Sequence, residues 1–397
     1  MRELLSVEDA RARILERAEP VGVERLPVGE AAGRVLAEPA LARTDLPPFP
    51  SSAMDGFALR AADAPGTLPV AFEVAAGRAS ASPLPAGSAA AIATGGAVPD
   101  GADAVVPIEV VAPADGVVEV PTGVEPGAHV RPRGGDVREG DVVVSPGVRL
   151  GPAQLGALAA AGVAEVVCAR RPRVAVLATG SELRAPGESL EHGQIYDSNR
   201  VMLAALMEAA GAAVEQLPAV ADDEGEHRLA IARGLETDVL VTSGGVSVGP
   251  HDLVRSIEAE LGVEEVFWGV AVKPGKPLSF GVRGSTLVFG LPGNPVSSLV
   301  GAILFVAPAL LALQRATSPG PLYQEGTTAS SLRRNERRDE YVRALRRLEA
   351  GAVMVEPVGG QDSHMIVRAS GADALVRVPR GEGEIPPGGA VRYVALA

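Results

Sequence analysis

The sequence predicts a multidomain protein of the α/β and β classes, on three observations. At 397 residues the chain is long enough for two to four domains, at about 150 residues each. Gly (47) and Pro (33) make up a fifth of it, a density of turn residues that suits many short strands better than a helical bundle. Between residues 173 and 313 strand-like and helix-like segments alternate, the mark of a parallel sheet covered by helices on both faces.

The elements follow in order. Ser6 three residues before Asp9 resembles a capping box and opens an Arg- and Glu-rich helix to about residue 18. From 44 to about 144, short Val/Ala/Pro runs broken by Gly and Pro read as a small β domain. A short helix is expected over 151–162. The alternating region then gives strands at 174–178, 214–220, 239–242, 266–272 and 287–289. Helices lie between them at 199–211, 224–235 and 252–261. The apolar stretch 296–313 falls short of the ~20 residues a membrane span needs and reads as a buried core helix. After about 314 short strands return, giving a β-barrel or sandwich. Its segment 333–347 holds seven Arg with Glu336, Asp339 and Glu340 interleaved, and is read as a solvated strand face.

Charge narrows the function. Thirty-six basic against 49 acidic residues leave −13, a poor footprint for nucleic acid or an anionic membrane. With one cysteine, Cys168, no internal disulfide and no cysteine metal cage can form. Its apolar setting makes it a buried small hydrophobe. The N-terminus lacks an apolar signal core, so a soluble, cytoplasmic protein is expected. Of the 36 cations only Lys273 and Lys276 are lysine, in one Lys-Pro-Gly-Lys tetrapeptide. A GC-rich genome explains the arginines but not the pairing of both lysines. A compact ammonium, unlike the wide guanidinium fork, suits an oxyanion held in tight quarters.

Three glycine-rich loops end predicted strands. These are 179–182 (TGSE), with Thr179, Gly180 and Glu182; 243–249 (SGGVSVG), with Ser243, Gly244, Gly245 and Ser247 ahead of Asp252; and 291–295 (LPGNP), with Pro292, Gly293 and Asn294. Unpaired N–H groups and helix dipoles at such turns favour phosphate. Taken with the lysines and acids on one sheet edge, they describe an enzyme acting on a phosphorylated small molecule. Oxygen ligands suit Mg²⁺.

Eight segments carry a resemblance: SSAMDGFAL (51–59), ATGGAVPDGADAVVPIE (93–109), VRPRGGDVREGD (130–141), LATGSEL (177–183), GQIYDSN (193–199), SGGVSVGPHD (243–252), VKPGKP (272–277) and GLPGNPVSS (290–298). In this order they resemble the MoeA family of molybdopterin molybdenumtransferases, which includes the E domain of gephyrin. The resemblance implies an elongated linker domain from 1–43 plus 141–171, a small β domain at 44–140, a MogA-like three-layer α/β domain with a parallel sheet at 172–316, and a C-terminal β-barrel at 317–397. It implies a molybdenum cofactor biosynthesis enzyme whose substrates are molybdate and adenylyl-molybdopterin. Adenylate hydrolysis with Mg²⁺ then releases AMP and molybdenum enters the pterin dithiolene. Matching the family's functional positions are Asp55, Asp136, Glu182, Asp222, Asp252, Thr94, Lys273, Lys276 and Ser363. Glu182, Asp222 and Asp252 would hold the metal, and Asp222 or Asp252 would activate water. A homodimer sharing its sites is implied, with transient contact to a MogA-like adenylyltransferase and to cofactor acceptor or maturation proteins. Gly135 and Gly269 depart from the pattern, where relatives carry an acid and a basic residue, so the anion contact at Gly269 would be weaker or supplied by Arg283 or Arg255.

Two other readings compete. A MogA-like or CinA-like enzyme would consume ATP and would lack the 44–144 β region and the barrel. A non-catalytic scaffold would show a hydrophobic peptide groove in the C-terminal domain.

Overall fold

The computed structural model describes residues 4–396 apart from 76, 79, 221–222, 246–252 and 350. A six-stranded sheet lies in the alternating region. The strand order is Ala213–Gln216, Arg173–Ala178, Val239–Ser243, Thr286–Leu291, Ser279–Arg283, Glu264–Trp268. The first four run parallel, but Ser279–Arg283 runs antiparallel to both of its neighbours, which corrects the wholly parallel sheet expected. The cause is local. Only Gly284 and Ser285 separate Arg283 from its partner Thr286, Gly284 has φ +58, and a two-residue link makes a hairpin rather than a crossover.

Side chains alternate across this sheet. Val174, Val176, Val239, Val241, Leu287 and Phe289 pack on one face with Leu203, Met207 and the helical segment 295–313. Ala175, Leu177, Leu240 and Val288 meet Ile231 and Ile257 on the other. Burial on both faces explains why these strands read as continuous apolar runs. Pro295–Leu313 is apolar and long enough to span a membrane, yet Leu304, Phe305, Val306 and Leu310 are fully enclosed in the core, as expected. A wide π turn over Ala302–Val306 breaks its regular α pattern. Pro308 lies just beyond, where an N–H is missing from the ladder.

The expected 266–272 strand is divided. Gly269, at φ +89, ends Glu264–Trp268, and Val272–Lys273 leaves the sheet to pair in parallel with Asp339–Glu349 of the C-terminal barrel. That barrel closes through Asp339–Glu349, Ala352–Pro357, Tyr323–Thr328, Ala390–Ala395 and Ala374–Val378, which pairs back with the first. Within it the 333–347 segment is not simply a solvated face: Arg343 is 1 % exposed and Asp339 6 %. Asp339 accepts from Arg377 at 2.6 Å, and Arg377 also reaches Glu8 of the first helix at 2.7 Å.

The first helix is Val7–Leu15, with Ser6 accepting from the Asp9 N–H at 3.0 Å. Its Val7, Ala10 and Ile14 join the core around 304–313. Val23–Pro27 pairs with Glu165–Ala169, and Ala40–Leu41 with Val142–Val144. Together with helix Pro152–Ala160 they enclose Leu36, Leu150, Leu158 and Cys168. Burial pushes the Cys168 thiol above its ordinary pKa, as befits an inert apolar filler. Residues 56–120 form a six-stranded sheet with its own cores.

Asp238 joins the linker to the α/β sheet. It accepts two hydrogen bonds from Arg170, both 2.7 Å, and one from the Arg173 N–H at 2.7 Å. Burial opposes its ionisation, but these donors prevail and hold the carboxyl below its usual range. A depressed folded-state pKa contributes stability that is present above the unfolded value and lost as pH falls through the folded one. Asp238→Asn is expected to cost about 1–3 kcal/mol at pH 7. In melting curves against pH that difference shrinks below the ordinary carboxylate range of about 4.

Candidate active site

The three strand-end loops converge because glycine lets their backbones touch. Gly244 has φ +103, and a Cβ there would stand 2.7 Å from the Thr179 carbonyl oxygen and 2.8 Å from its hydroxyl. The Thr179 N–H donates to Ser243 O at 3.1 Å and the Gly244 N–H to Leu291 O at 3.1 Å. Gly245, at φ +64, lies against Val254. At Gly180, φ +147, the space a Cβ would fill is taken by the Glu182 carboxylate, folded back over the turn.

A buried side-chain lattice locks the loops from below. The amide of Asn199, in helix Ser198–Ala209, donates to Ser243 Oγ at 2.8 Å and Gly293 O at 2.7 Å. Pro292 O accepts from Ser243 Oγ at 3.4 Å and also from Ser298 Oγ. Asp197 caps the helix through the Arg200 N–H at 3.1 Å and pairs with the Arg200 Nε at 3.0 Å. Above the lattice opens a cleft of about 580 Å³ lined by Thr179, Glu182, Ser243, Gly293, Asn294 and, from the C-terminal segment, His364. Five of the residues named from sequence therefore meet here, and Gly180, Gly244, Gly245 and Pro292 frame their loops.

Lys273 lies in a second cleft, of about 850 Å³, beside Arg333, Arg334, Arg337, Arg338 and Gln361. Its Nζ is 3.0 Å from Glu340 Oε1, and Glu336 is the other acid of the lining. Five cations against two carboxylates make this a positive hollow on a chain of charge −13. Asn335 Oδ1 accepts from the N–H groups of Arg337 and Arg338, both 3.0 Å, and so shapes the arginine loop. Beneath it the buried Arg343 donates to Gly360 O at 2.8 Å and Asp362 O at 3.2 Å. The next residue, Ser363, accepts from the Val296 N–H at 3.0 Å, fastening the barrel to the long helix. Lys276 is exposed on the loop after Lys273, with its carbonyl accepting from the Val270 and Leu278 N–H groups.

Asp55 and Thr94 meet in the β domain. Asp55 Oδ1 accepts from the Thr94 N–H at 2.6 Å. That bond, then the Thr94 hydroxyl, holds the Asp55 carboxyl below its usual range. Gly56 beside it permits the strand crossing, since a Cβ would overlap the Val106 carbonyl. Asp136 is exposed on the loop after Val130–Arg131, the strand that pairs with Ser51–Ser52. Among the described residues, none of 44–140 lines either cleft. Asp222, Ser247 and Asp252 lie outside the described residues.

Sequence reasoning missed Asn199, His364 and the arginine loop. Asn199 ends the GQIYDSN segment and His364 follows Ser363, so both stood beside noted features. The arginines were masked by their interleaved acids. At the two departures, Gly135 is exposed, while Gly269 has a positive φ and the end of the Leu4 side chain against it, so a side chain there would be strained and would displace Leu4. Arg255 does not replace that charge: it pairs with Glu265 and lies 5.8 Å from the Trp268 ring centre.

A phosphate-favouring glycine cleft beside a cationic hollow, on a mixed α/β domain carrying a closed β-barrel, defines an enzyme of anionic small molecules. The sequence matches the models for the MoeA N-terminal region (domain I and II) at 5–162, the "Probable molybdopterin binding domain" at 175–312 and the MoeA C-terminal region (domain IV) at 325–396. It is 36% identical over 392 residues to a molybdopterin molybdenumtransferase of Haemophilus influenzae, covering 97% of each chain. It is also 36% identical to molybdopterin molybdenumtransferase 2 of Mycobacterium tuberculosis, over 98% of each. The crystal structure of the molybdopterin biosynthesis moeA protein from Pyrococcus horikoshii OT3 superposes with a TM-score of 0.85 at 28% identity, covering 99% of this chain and 100% of that one. The chain belongs to the MoeA family.

The loop geometry has a direct test. Gly244→Ala adds steric overlap to a left-handed backbone and should cost about 2–5 kcal/mol. Gly187→Ala, at φ +96 but with nothing within 4 Å, should cost only about 1–2 kcal/mol of strain. Thermal unfolding of the two variants checks the order.

Proposed function

We propose that this chain is a molybdopterin molybdenumtransferase of molybdenum cofactor biosynthesis, which converts adenylyl-molybdopterin and molybdate into AMP and molybdenum-loaded molybdopterin. The observation that carries this reading is the pairing of the two clefts. One presents backbone and hydroxyl groups at the carboxyl edge of a sheet, where phosphorylated ligands settle. The other presents Lys273, Arg337 and Arg338 to a tetrahedral oxyanion, and charge-assisted hydrogen bonds to such an anion are roughly twice as strong as neutral ones.

Glu182 supplies the described part of a metal site. Among the described residues no three His, Cys, Asp or Glu side chains cluster, and its expected companions Asp222 and Asp252 are not among them. The donor set is oxygen only, and the Glu182 carboxylate folds into the space over Gly180, which fits a hard cation such as Mg²⁺. Bound there, Mg²⁺ would polarise the phosphoanhydride as a Lewis acid. The chain's own groups do the rest: Thr179 and the glycine loops orient the phosphates, the cationic cleft gathers molybdate, and a carboxylate takes the proton of the attacking water.

The test is to incubate the protein with adenylyl-molybdopterin, molybdate and Mg²⁺ and to follow AMP release and molybdenum incorporation together. Neither product would appear if the reading is wrong. Lys273→Ala should lower molybdate-dependent turnover roughly 10- to 150-fold, the loss of one charge-assisted contact, with an unchanged melting profile. Near-normal turnover at low molybdate would remove Lys273 from the site.

We also propose that each complete site is shared between two chains of a homodimer. Asp55 and Thr94 line neither cleft of their own chain, and a two-fold partner could bring them there. Co-assembling Asp55→Ala with Lys273→Ala should return about one quarter of wild-type activity, because half the dimers are mixed and each holds one intact site. Sites confined to single chains would give no recovery at any ratio.

A further inference from the structure

We infer that Asn199 reads the heterocycle of the ligand, through a hydrogen bond from an aromatic amine N–H to its Oδ1; the inference rests on the cleft being the pterin-adenylate site proposed above. Asn199 is 9 % exposed and lines the Thr179–Glu182 cleft. Both protons of its amide are committed, to Ser243 Oγ at 2.8 Å and Gly293 O at 2.7 Å. Its Oδ1 has no hydrogen-bond partner and is shut off from solvent, so a ligand amine reaches it as the side chains over it give way. The amide cannot simply turn over, because that would set oxygen against the Gly293 carbonyl, which only accepts.

Natural proteins leave few buried acceptors unpaired, since each costs a desolvation penalty. An acceptor fixed in this way repels phosphate and molybdate and takes only a donor. Both heterocycles of adenylyl-molybdopterin offer an exocyclic amine, the 2-amino group of the pterin beside its ring N–H groups and the 6-amino group of adenine. The phosphates are left to the glycine loops. Asn199 is thus a specificity residue, distinct in chemistry from the oxyanion contacts around it.

The experiment compares ligand pairs on the full chain. Pterin and its analogue lacking the 2-amino group are titrated by fluorescence, AMP and purine riboside monophosphate by calorimetry. Wild type should prefer one amino-bearing member by about 5- to 150-fold, the loss expected when a buried group is left unpaired. The pair that discriminates identifies the heterocycle. Asn199→Leu should bind both members of that pair equally while the member lacking the amine keeps its wild-type affinity, whereas general loosening of the loops would weaken both. Absence of preference in both wild-type pairs overturns the inference, whatever the stability of the variant, as does a preference that survives Asn199→Leu. Molybdenum incorporation without discrimination would reject the role of Asn199 alone. Discrimination without incorporation would reject the transferase reading alone.

Discussion

The sheet, the first helix and the barrel are all fastened to the segment Pro295–Leu313. Its first turn carries Ser298 beneath the site and receives the barrel through Val296 and Ser363. Its buried middle fills the space between the sheet and the first helix. Its last residue accepts from the Val21 N–H at 2.9 Å, and Gln314 just beyond donates to Ala210 O at 2.9 Å. Thr317 then bonds Gly147 in the linker at 3.1 Å. A single buried apolar rod therefore ties the glycine loops to the barrel that carries the cationic hollow.

The two clefts differ in how they hold their shape. In the first, glycines remove side chains so that backbones approach, and the Asn199–Ser243–Ser298 lattice fixes the result. In the second, charge is displayed by a loop folded over Asn335 and braced by the buried Arg343. The residue between their supports is Ser363, which acts here through its carbonyl. Movement of the barrel against the α/β domain would change both clefts at once.

Much of this was legible in the sequence, for reasons that are themselves physical. Strands buried on both faces and helices opened by Ser6 or Asp197 leave strong local marks, and the pairing of Lys273 with Lys276 pointed to the cationic region. What stayed hidden depends on contacts between distant segments. The Ser279–Arg283 strand pairs back through two residues and so reversed the expected direction. Arg343 looks like its solvated neighbours until the 357–363 segment covers it. Asn199 gains meaning only when Ser243 and Gly293 come within reach of its amide.

Four of the five cations in the hollow are guanidinium groups, planar forks that can grip an oxyanion through two parallel hydrogen bonds. An anion that enters must be let go by chemistry that changes the anion itself, or by Glu340 reclaiming the ammonium of Lys273. Arginine in this place makes release, rather than capture, the step that the rest of the molecule has to control.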